Sequence, residues 1–275
     1  MVISTWGTDF VYFAKYYKIY YWLTRKAFSE TDLFFPDNIR DKYLAEVYGF
    51  SPSKPSWVVP ATGGLELQEF PLYSKNTSMR KKLKIDPNTN LLICIRGFKT
   101  FHTNTEVLIK AIPQVVAKYP DSLFVIDGPY LSPSYFPLKK LAKDLNIEKY
   151  IRFTNKLNRQ DLTDYLNASD IMVSVTIYDG LPISMLEGMA YGTIPIMSNH
   201  SSMHDWITDA YNGYFINPKN PENIAQVIIK ALKNKDNFEV MRKRNWDLLR
   251  ERADYYKNMK IVEEMYHKLI KEYMK

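Results

Sequence analysis

The sequence predicts an α/β protein built on a parallel sheet with helices on both faces. Three observations point there. Between residues 91 and 232, short apolar runs rich in β-branched residues alternate with segments of helical spacing. The 275 residues, 46% hydrophobic and 24% charged, suffice for one large domain or two small ones. The single cysteine, Cys94, and four scattered histidines leave no disulfide framework and no Cys- or His-rich metal site to organise a loop-rich fold instead.

Taken in order, the first 75 residues read as strands at 2–5, 33–35 and 57–59, with helices at 11–28 and 38–47. That is a βαβαβ fragment, a partial α/β domain. A polar stretch at 73–90, holding Ser, Asn, Lys and one Pro, marks a boundary, so the chain divides into residues 1–75, 76–250 and 251–275. The second unit opens with a strand at 91–96, followed by strands at 123–127, 151–154, 171–176 and 193–198. After the first of these, Thr103 and Glu106 have capping-box spacing, and Val107, Leu108, Ala111, Ile112, Val115 and Val116 fall on one helical face. A later helix opens with Asn220-Pro221, a cap followed by proline at the first helical position, and buries Ile224, Val227, Ile228, Ala231 and Leu232. Strands alternating with helices make residues 76–250 one complete, doubly wound parallel sheet of Rossmann type. At the end of the chain, Tyr255, Met259, Val262, Tyr266, Leu269 and Tyr273 share one stripe of a final helix, which is expected to return to the first 75 residues to cover that stripe.

With 37 Lys plus Arg against 30 Asp plus Glu, the net charge of +7 suits an anionic partner such as phosphates or acidic lipid heads. Nucleic acid is not the expected partner, because no Cys/His finger, aromatic RNA-binding signature or long Arg-rich tract accompanies the charge. The aromatic run at 10–23 contains Lys15 and Lys18 and is shorter than the roughly 20 apolar residues that span a bilayer. The first residues lack the basic and apolar regions of a signal peptide, so the expected location is cytoplasmic.

The segment Asp179-Gly180-Leu181-Pro182-Ile183-Ser184-Met185-Leu186-Glu187 carries the chemistry. It follows a strand, Pro182 suits the first turn of a helix, and Gly192 suits its C′ position. Open α/β sheets bind ligands at the carboxyl ends of their strands. A helix starting there offers its free N–H groups and the positive end of its dipole to a pyrophosphate. Gly180 permits close approach of a ligand to the backbone. Asp179 before the helix and Glu187 within it suit two carboxylates that grip different hydroxyls of one extended ligand. Glu187 lies in an apolar run and is costly to bury unless a partner meets it.

From Asp179 to Gly192, and on through the strand at 193–198, the chain resembles the signature of family-four glycosyltransferases, retaining enzymes of the two-domain GT-B fold. That signature is two acidic residues with seven between them, then Met-Ala and a Gly-(Thr)-x-Pro strand. Trp6-Gly7-Thr8-Asp9, Val58-Val59-Pro60 through Gly64 and Phe70, Val125-Ile126-Asp127-Gly128-Pro129, Asp205-Trp206-Ile207 and Asn212-Gly213 resemble further family segments in the family's order.

The resemblance implies that Glu187 holds the ribose hydroxyls of a nucleotide-sugar and Asp179 those of the transferred sugar. The amides of Leu181, Pro182, Ile183 and Ser184 would meet the sugar and diphosphate, with Gly180 beside them. Arg96 matches the arginine that neutralises the departing diphosphate, a task suited to a planar guanidinium. Asn155 and Lys156 fall where the family's base-contacting loop lies. No metal or other cofactor is expected, the nucleotide-sugar being a co-substrate.

Three departures matter. Asp179 replaces the usual Glu, the family's second phosphate lysine is Thr103 here with Lys99 or His102 as substitutes, and the early strands of the acceptor domain are absent from the sequence. The implied reaction is transfer of a sugar with retention to a hydroxyl of a glycan or lipid-linked acceptor, with peripheral contact at the inner face of the membrane. The alternatives are a non-catalytic or split donor-binding subunit that needs a partner chain for the acceptor domain, and, more remotely, a sugar-nucleotide epimerase.

Overall fold

The computed structural model describes residues 1–5, 12–71, 77–98 and 101–274; the segment 6–9 singled out above and Lys99 lie outside them. The first segment holds a two-stranded parallel sheet, β1 (Val2–Ser4) and β2 (Leu33–Phe35). Between them the helix expected at 11–28 is in two pieces, α1 (Ala14–Tyr16) and α2 (Lys18–Ser29), because Tyr17 leaves helical space at φ −126° and ψ 117°. After β2 comes α3 (Ile39–Val47), whose first turn is closed by the Asn38 side chain accepting from the Asp41 N–H.

The strand expected at 57–59 does not form as such. Ser56 makes one isolated bridge to Phe34, and Trp57 and Val59 donate to the Phe34 and Pro36 carbonyls at 3.1 and 2.8 Å. Pro55 and Pro60 bracket the run and supply no N–H, so a ladder cannot extend in either direction.

After α4 (Thr77–Lys82) the chain builds a six-stranded parallel sheet. Its elements run β3 (Asn90–Cys94), α5 (Thr105–Lys118), β4 (Ser122–Asp127), α6 (Tyr135–Asp144), β5 (Ile151–Thr154), α7 (Arg159–Ala168), β6 (Ile171–Ser174), α8 (Ile183–Ala190), β7 (Ile194–Ser198), β8 (Tyr214–Ile216), α9 (Pro221–Lys233) and α10 (Phe238–Arg252). The strand order β5-β4-β3-β6-β7-β8 reverses direction between β3 and β6, which creates a crevice where their carboxyl ends diverge. The runs expected at 91–96 and 171–176 leave the ladder after Cys94 and Ser174, so Arg96 and Thr176 reach that crevice from the loops that follow. Strand β8 has three residues, too few for a periodic signal, and joins the sheet through pairing with β7.

Alternate residues of each strand feed separate cores, as the pleat requires. Leu92, Cys94, Phe124 and Ile126 pack with α5, α6 and α9, whereas Leu91, Ile93 and Val125 face α7. A neighbouring core joins α8 and α10 through Met185, Met189, Trp246 and Leu249. The cap of α9 forms as expected, with Asn220 accepting from the Asn223 N–H and Pro221 opening the helix. The capping box at α5 does not. The helix starts at Thr105 behind a left-handed Asn104 with φ 54°, and Glu106 pairs with Lys110 one turn on at 2.6 Å. Thr105 instead donates its hydroxyl to the Gly97 carbonyl, which ties α5 to the loop after β3.

At the far end of the sheet, Arg80 of α4 is buried and donates to the Ala168, Pro87 and Thr89 carbonyls and to Asp170 Oδ2 at 2.9 Å. The last helix, α11 (Tyr255–Tyr273), lies against the first segment: Asn258 donates to the Gly63 carbonyl at 2.9 Å, Tyr266 packs on Phe35, and Tyr273 donates to Asp32 at 2.7 Å. Helix α2 leaves Ile19, Trp22 and Leu23 about half exposed, beside Lys18 and Lys26. Among the described residues no helix is long and apolar enough to cross a membrane.

Candidate functional site

Helix α8 starts beside the crevice between β3 and β6. Pro182 is its N-cap residue, and Gly192 ends the turn after it at φ 79°, a left-handed conformation that costs glycine little. The loop from Thr176 to Pro182 carries Asp179, whose carboxylate forms an ion pair with the Arg96 guanidinium from the tail of β3. These two residues lie 83 positions apart in sequence and meet only because β3 and β6 are neighbours. Gly97 makes the next turn possible. At φ 53° it passes so close to β4 that a Cβ would stand 1.4 Å from the Asp127 carbonyl oxygen, so the loop holding Arg96 is pinned against the sheet.

A cleft of about 370 Å³ opens there, lined by Arg96, His102, Asp127, Lys156, Ile183 and Ser184 among others. Asp127 is a buried brace. One of its oxygens accepts from the Thr154 hydroxyl at 3.1 Å and from the Leu157 N–H at 2.8 Å, which folds the loop carrying Asn155 and Lys156 over the end of β4. Lys156 faces the cleft, while the Asn155 side chain turns to accept from the Tyr130 N–H at 3.1 Å. Burial, then the Arg96 charge, pushes the His102 imidazole below its ordinary range. Burial does the same to His200, whose Nε2 lies 2.9 Å from the Thr176 carbonyl oxygen.

Among the described residues the Arg96 Nε–H and the Ser184 hydroxyl are buried without a hydrogen-bond partner. Both therefore have capacity for an anionic or hydroxylated ligand. Not every amide named in advance has that capacity. The Leu181 N–H donates to Asp37 Oδ2 at 3.1 Å, and Pro182 has no N–H, which leaves Ile183 and Ser184 to present theirs. Gly180, Leu181 and Pro182 are buried in the approach to the helix.

Glu187 sits further along α8, 7% exposed, and its carboxylate is met by the guanidinium of Arg159, the first residue of α7. The pairing raises the Arg159 guanidinium still further above neutrality. The need for a partner was readable from the apolar run around Glu187; Arg159 was not, because only the packing of α7 beside α8 brings it there. Asp37 and Arg40 were missed for the same reason: they act on the Asp179 loop from the first segment, 144 and 139 residues away.

Comparison with known proteins agrees with this architecture. An uncharacterised glycosyltransferase of Methanocaldococcus jannaschii is 25% identical over 195 residues, 67% of this chain and 49% of its own length. A GDP-mannose-dependent monoacylated alpha-(1-6)-phosphatidylinositol monomannoside mannosyltransferase of Corynebacterium glutamicum is 28% identical over 165 residues, 57% of this chain and 41% of its own. The chain spans about half the length of the curated relatives it matches. The structure of HepE from Anabaena, in complex with UDP and glucose, superposes with a TM-score of 0.79 at 15% identity and covers 97% of this chain and 71% of its own. That likeness shows the fold, which is GT-B. The profile of the glycosyl transferases group 1 matches residues 75–247, and the chain belongs to that family.

Proposed function

We propose that the chain is the donor-binding half of a retaining glycosyltransferase joined to part of its acceptor domain. Residues 76–250 would bind the nucleotide-sugar, residues 1–75 belong to the acceptor side, and residues 251–275 tie the two together. The observation that carries this reading is the meeting of Arg96, Asp179 and the start of α8 at the β3/β6 crevice. Such a site suits an anionic leaving group attached to a polyhydroxylated one.

In this reading Glu187, held by Arg159, accepts from the ribose hydroxyls, and Asp179 from the hydroxyls of the transferred sugar. The oxygen of an acceptor hydroxyl forms a bond to the anomeric carbon as the bond to the diphosphate breaks, its proton passing to the departing diphosphate, with retention of configuration. Charge grows on the departing diphosphate, where Arg96 and the Ile183 and Ser184 amides are aimed in advance. Lys156, with Asn155 behind it, borders the base. No resident metal or other cofactor is needed for these roles. The acceptor would be a glycan or a lipid-linked glycan, reached from the cytoplasmic face of the membrane with α2 as the peripheral contact; the corynebacterial relative, by its name, acts on a phosphatidylinositol mannoside.

A second reading, a donor-binding subunit that needs a partner chain for the acceptor wall, is favoured by one observation. Among the described residues β1 pairs with β2 alone, so its outer edge offers unpaired backbone groups. A panel of nucleotide-sugars, assayed for hydrolysis and transfer by the chain alone, separates the two: robust transfer sinks the second reading.

Donor binding is tested by calorimetry against UDP, GDP and ADP. One of them should bind, and Glu187→Ala should weaken it by about 1–3 kcal/mol through lost charge-assisted hydrogen bonds. Binding of none of the three by a folded sample would overturn the donor site.

A further inference from the structure

The backbone on either side of Gly180 is gripped from the first segment. Arg40 Nη1 donates to the Asp179 carbonyl at 3.0 Å, and the Leu181 N–H donates to Asp37 Oδ2 at 3.1 Å. Both side chains come from the start of α3 and are themselves fixed. Arg40 Nε donates to Asp41 at 2.8 Å, the Asp41 N–H donates to the Asn38 cap at 3.0 Å, and Asp37 and Asp41 are 2% and 0% exposed. The Ile39 N–H adds a third tie across the same junction, to Asp205 at 2.9 Å. On the donor side the Ser202 hydroxyl shares the Asp179 carbonyl at 3.1 Å.

We propose that Asp37 and Arg40 are positioning residues for the donor site: they clamp the two peptide groups flanking Gly180 and thereby set the direction of the Asp179 carboxylate. This rests on the reading of Asp179 as the sugar-binding acid. Glycine has no side chain with which to anchor its own loop, so an unclamped Gly180 is free to rotate its flanking peptides. Arg96 holds Asp179 by its carboxylate and the Ser202 hydroxyl holds its carbonyl from one side, which leaves the Leu181 peptide without a brace from the donor side among the described residues. The clamp supplies that brace, and it does so from the first segment. The donor site is therefore formed correctly only when the start of α3 is docked against the Asp179 loop. Burying two neighbouring carboxyl groups is unfavourable unless they share a proton. Accordingly, burial and then the Asp41 neighbour push the Asp37 carboxyl up to about 8. That cost is borne at a position whose outward contact is one amide of the donor loop.

The test uses the full chain and three variants, Arg40→Met, Asp37→Leu and Asp37→Asn. The asparagine retains an oxygen that accepts from the Leu181 N–H, so it is the rescue. Hydrogen exchange without nucleotide should quicken over residues 177–184 in Arg40→Met and Asp37→Leu, stay near wild type in Asp37→Asn, and leave β3 and β4 unaffected. Calorimetry with UDP, GDP and ADP and with UDP-glucose, GDP-mannose and ADP-glucose should then show a selective effect. Affinity for the sugar nucleotide falls about tenfold in the first two variants, while that for the matching diphosphate changes by less than about twofold. Equal losses for both ligands, failure of Asp37→Asn to rescue, or unchanged exchange over 177–184 would overturn the clamp. A wild-type chain that binds none of the six ligands overturns the donor reading, and with it the positioning role. That failure is recognised before any substitution is made.

Discussion

Arg96 and Glu187 show how differently single residues disclose themselves. Arg96 ends an apolar strand run, a place where a charge is easily seen in sequence, and it reaches the crevice with one buried N–H unpartnered among the described residues. Arg96→Ala should therefore weaken diphosphate binding far more than binding of the nucleoside alone. Arg96→Lys should recover only part of the difference, since the two-point grip is gone. Equal losses measured by calorimetry would place Arg96 at the base or in folding instead. Glu187 announces a need for charge compensation, but its partner Arg159 lies on another helix.

Asp37 gives the clearest pH dependence. Its carboxyl is raised from 3.8 to about 8 by burial, then by Asp41, against the opposing pull of the Leu181 N–H and Arg40. The folded chain thus retains a proton that the unfolded chain loses. Its contribution makes stability fall as pH rises from near 3.8 to about 8, with no penalty at lower pH. Asp37→Asn should stabilise the protein at neutral pH in urea melts, and the gain should vanish below pH 3.8; a gain independent of pH would contradict this assignment.

At the scale of elements, the sheet is tied at the end opposite the site. Arg80 of α4 joins the start of β3, through the Thr89 carbonyl, to Asp170 at the start of β6, and Asp170 also accepts from the Leu91 N–H at 3.0 Å. Removing one member of a buried ion pair leaves the other uncompensated. Arg80→Met is expected to cost about 3–5 kcal/mol in urea unfolding. A loss below 1 kcal/mol would mean that water or Lys235, already 3.5 Å from Asp170, takes over. The same strands diverge at their other ends and form the crevice, so one pair of neighbours supplies both the anchor and the site.

At the scale of the whole molecule, α2 stands out. Trp22 and Leu23 lie one helical turn after Ile19 in an exposed patch with Lys18 and Lys26 beside it, a pattern suited to the interface of an anionic bilayer. In the proposed peripheral role, the chain should co-sediment with vesicles containing phosphatidylglycerol and not with pure phosphatidylcholine. Trp22→Ser should weaken retention, and high salt should weaken it as well. Equal binding to both vesicle types would exclude the electrostatic part of that contact.

The sequence by itself determined the alternation of five strands with helices from β3 to β7, the cap of α9, and the start of α8 and its end at Gly192. Each is set by local periodicity or by a residue's own backbone preference, which neighbours in the chain suffice to specify. The tertiary structure decided the rest. It brought Arg96 onto Asp179, Arg159 onto Glu187, and Asp37 and Arg40 onto the Gly180 turn; it also assigned the Leu181 amide to Asp37. These contacts span 28 to 144 residues and depend on which strands are adjacent and how α3 docks, and no local spacing encodes either.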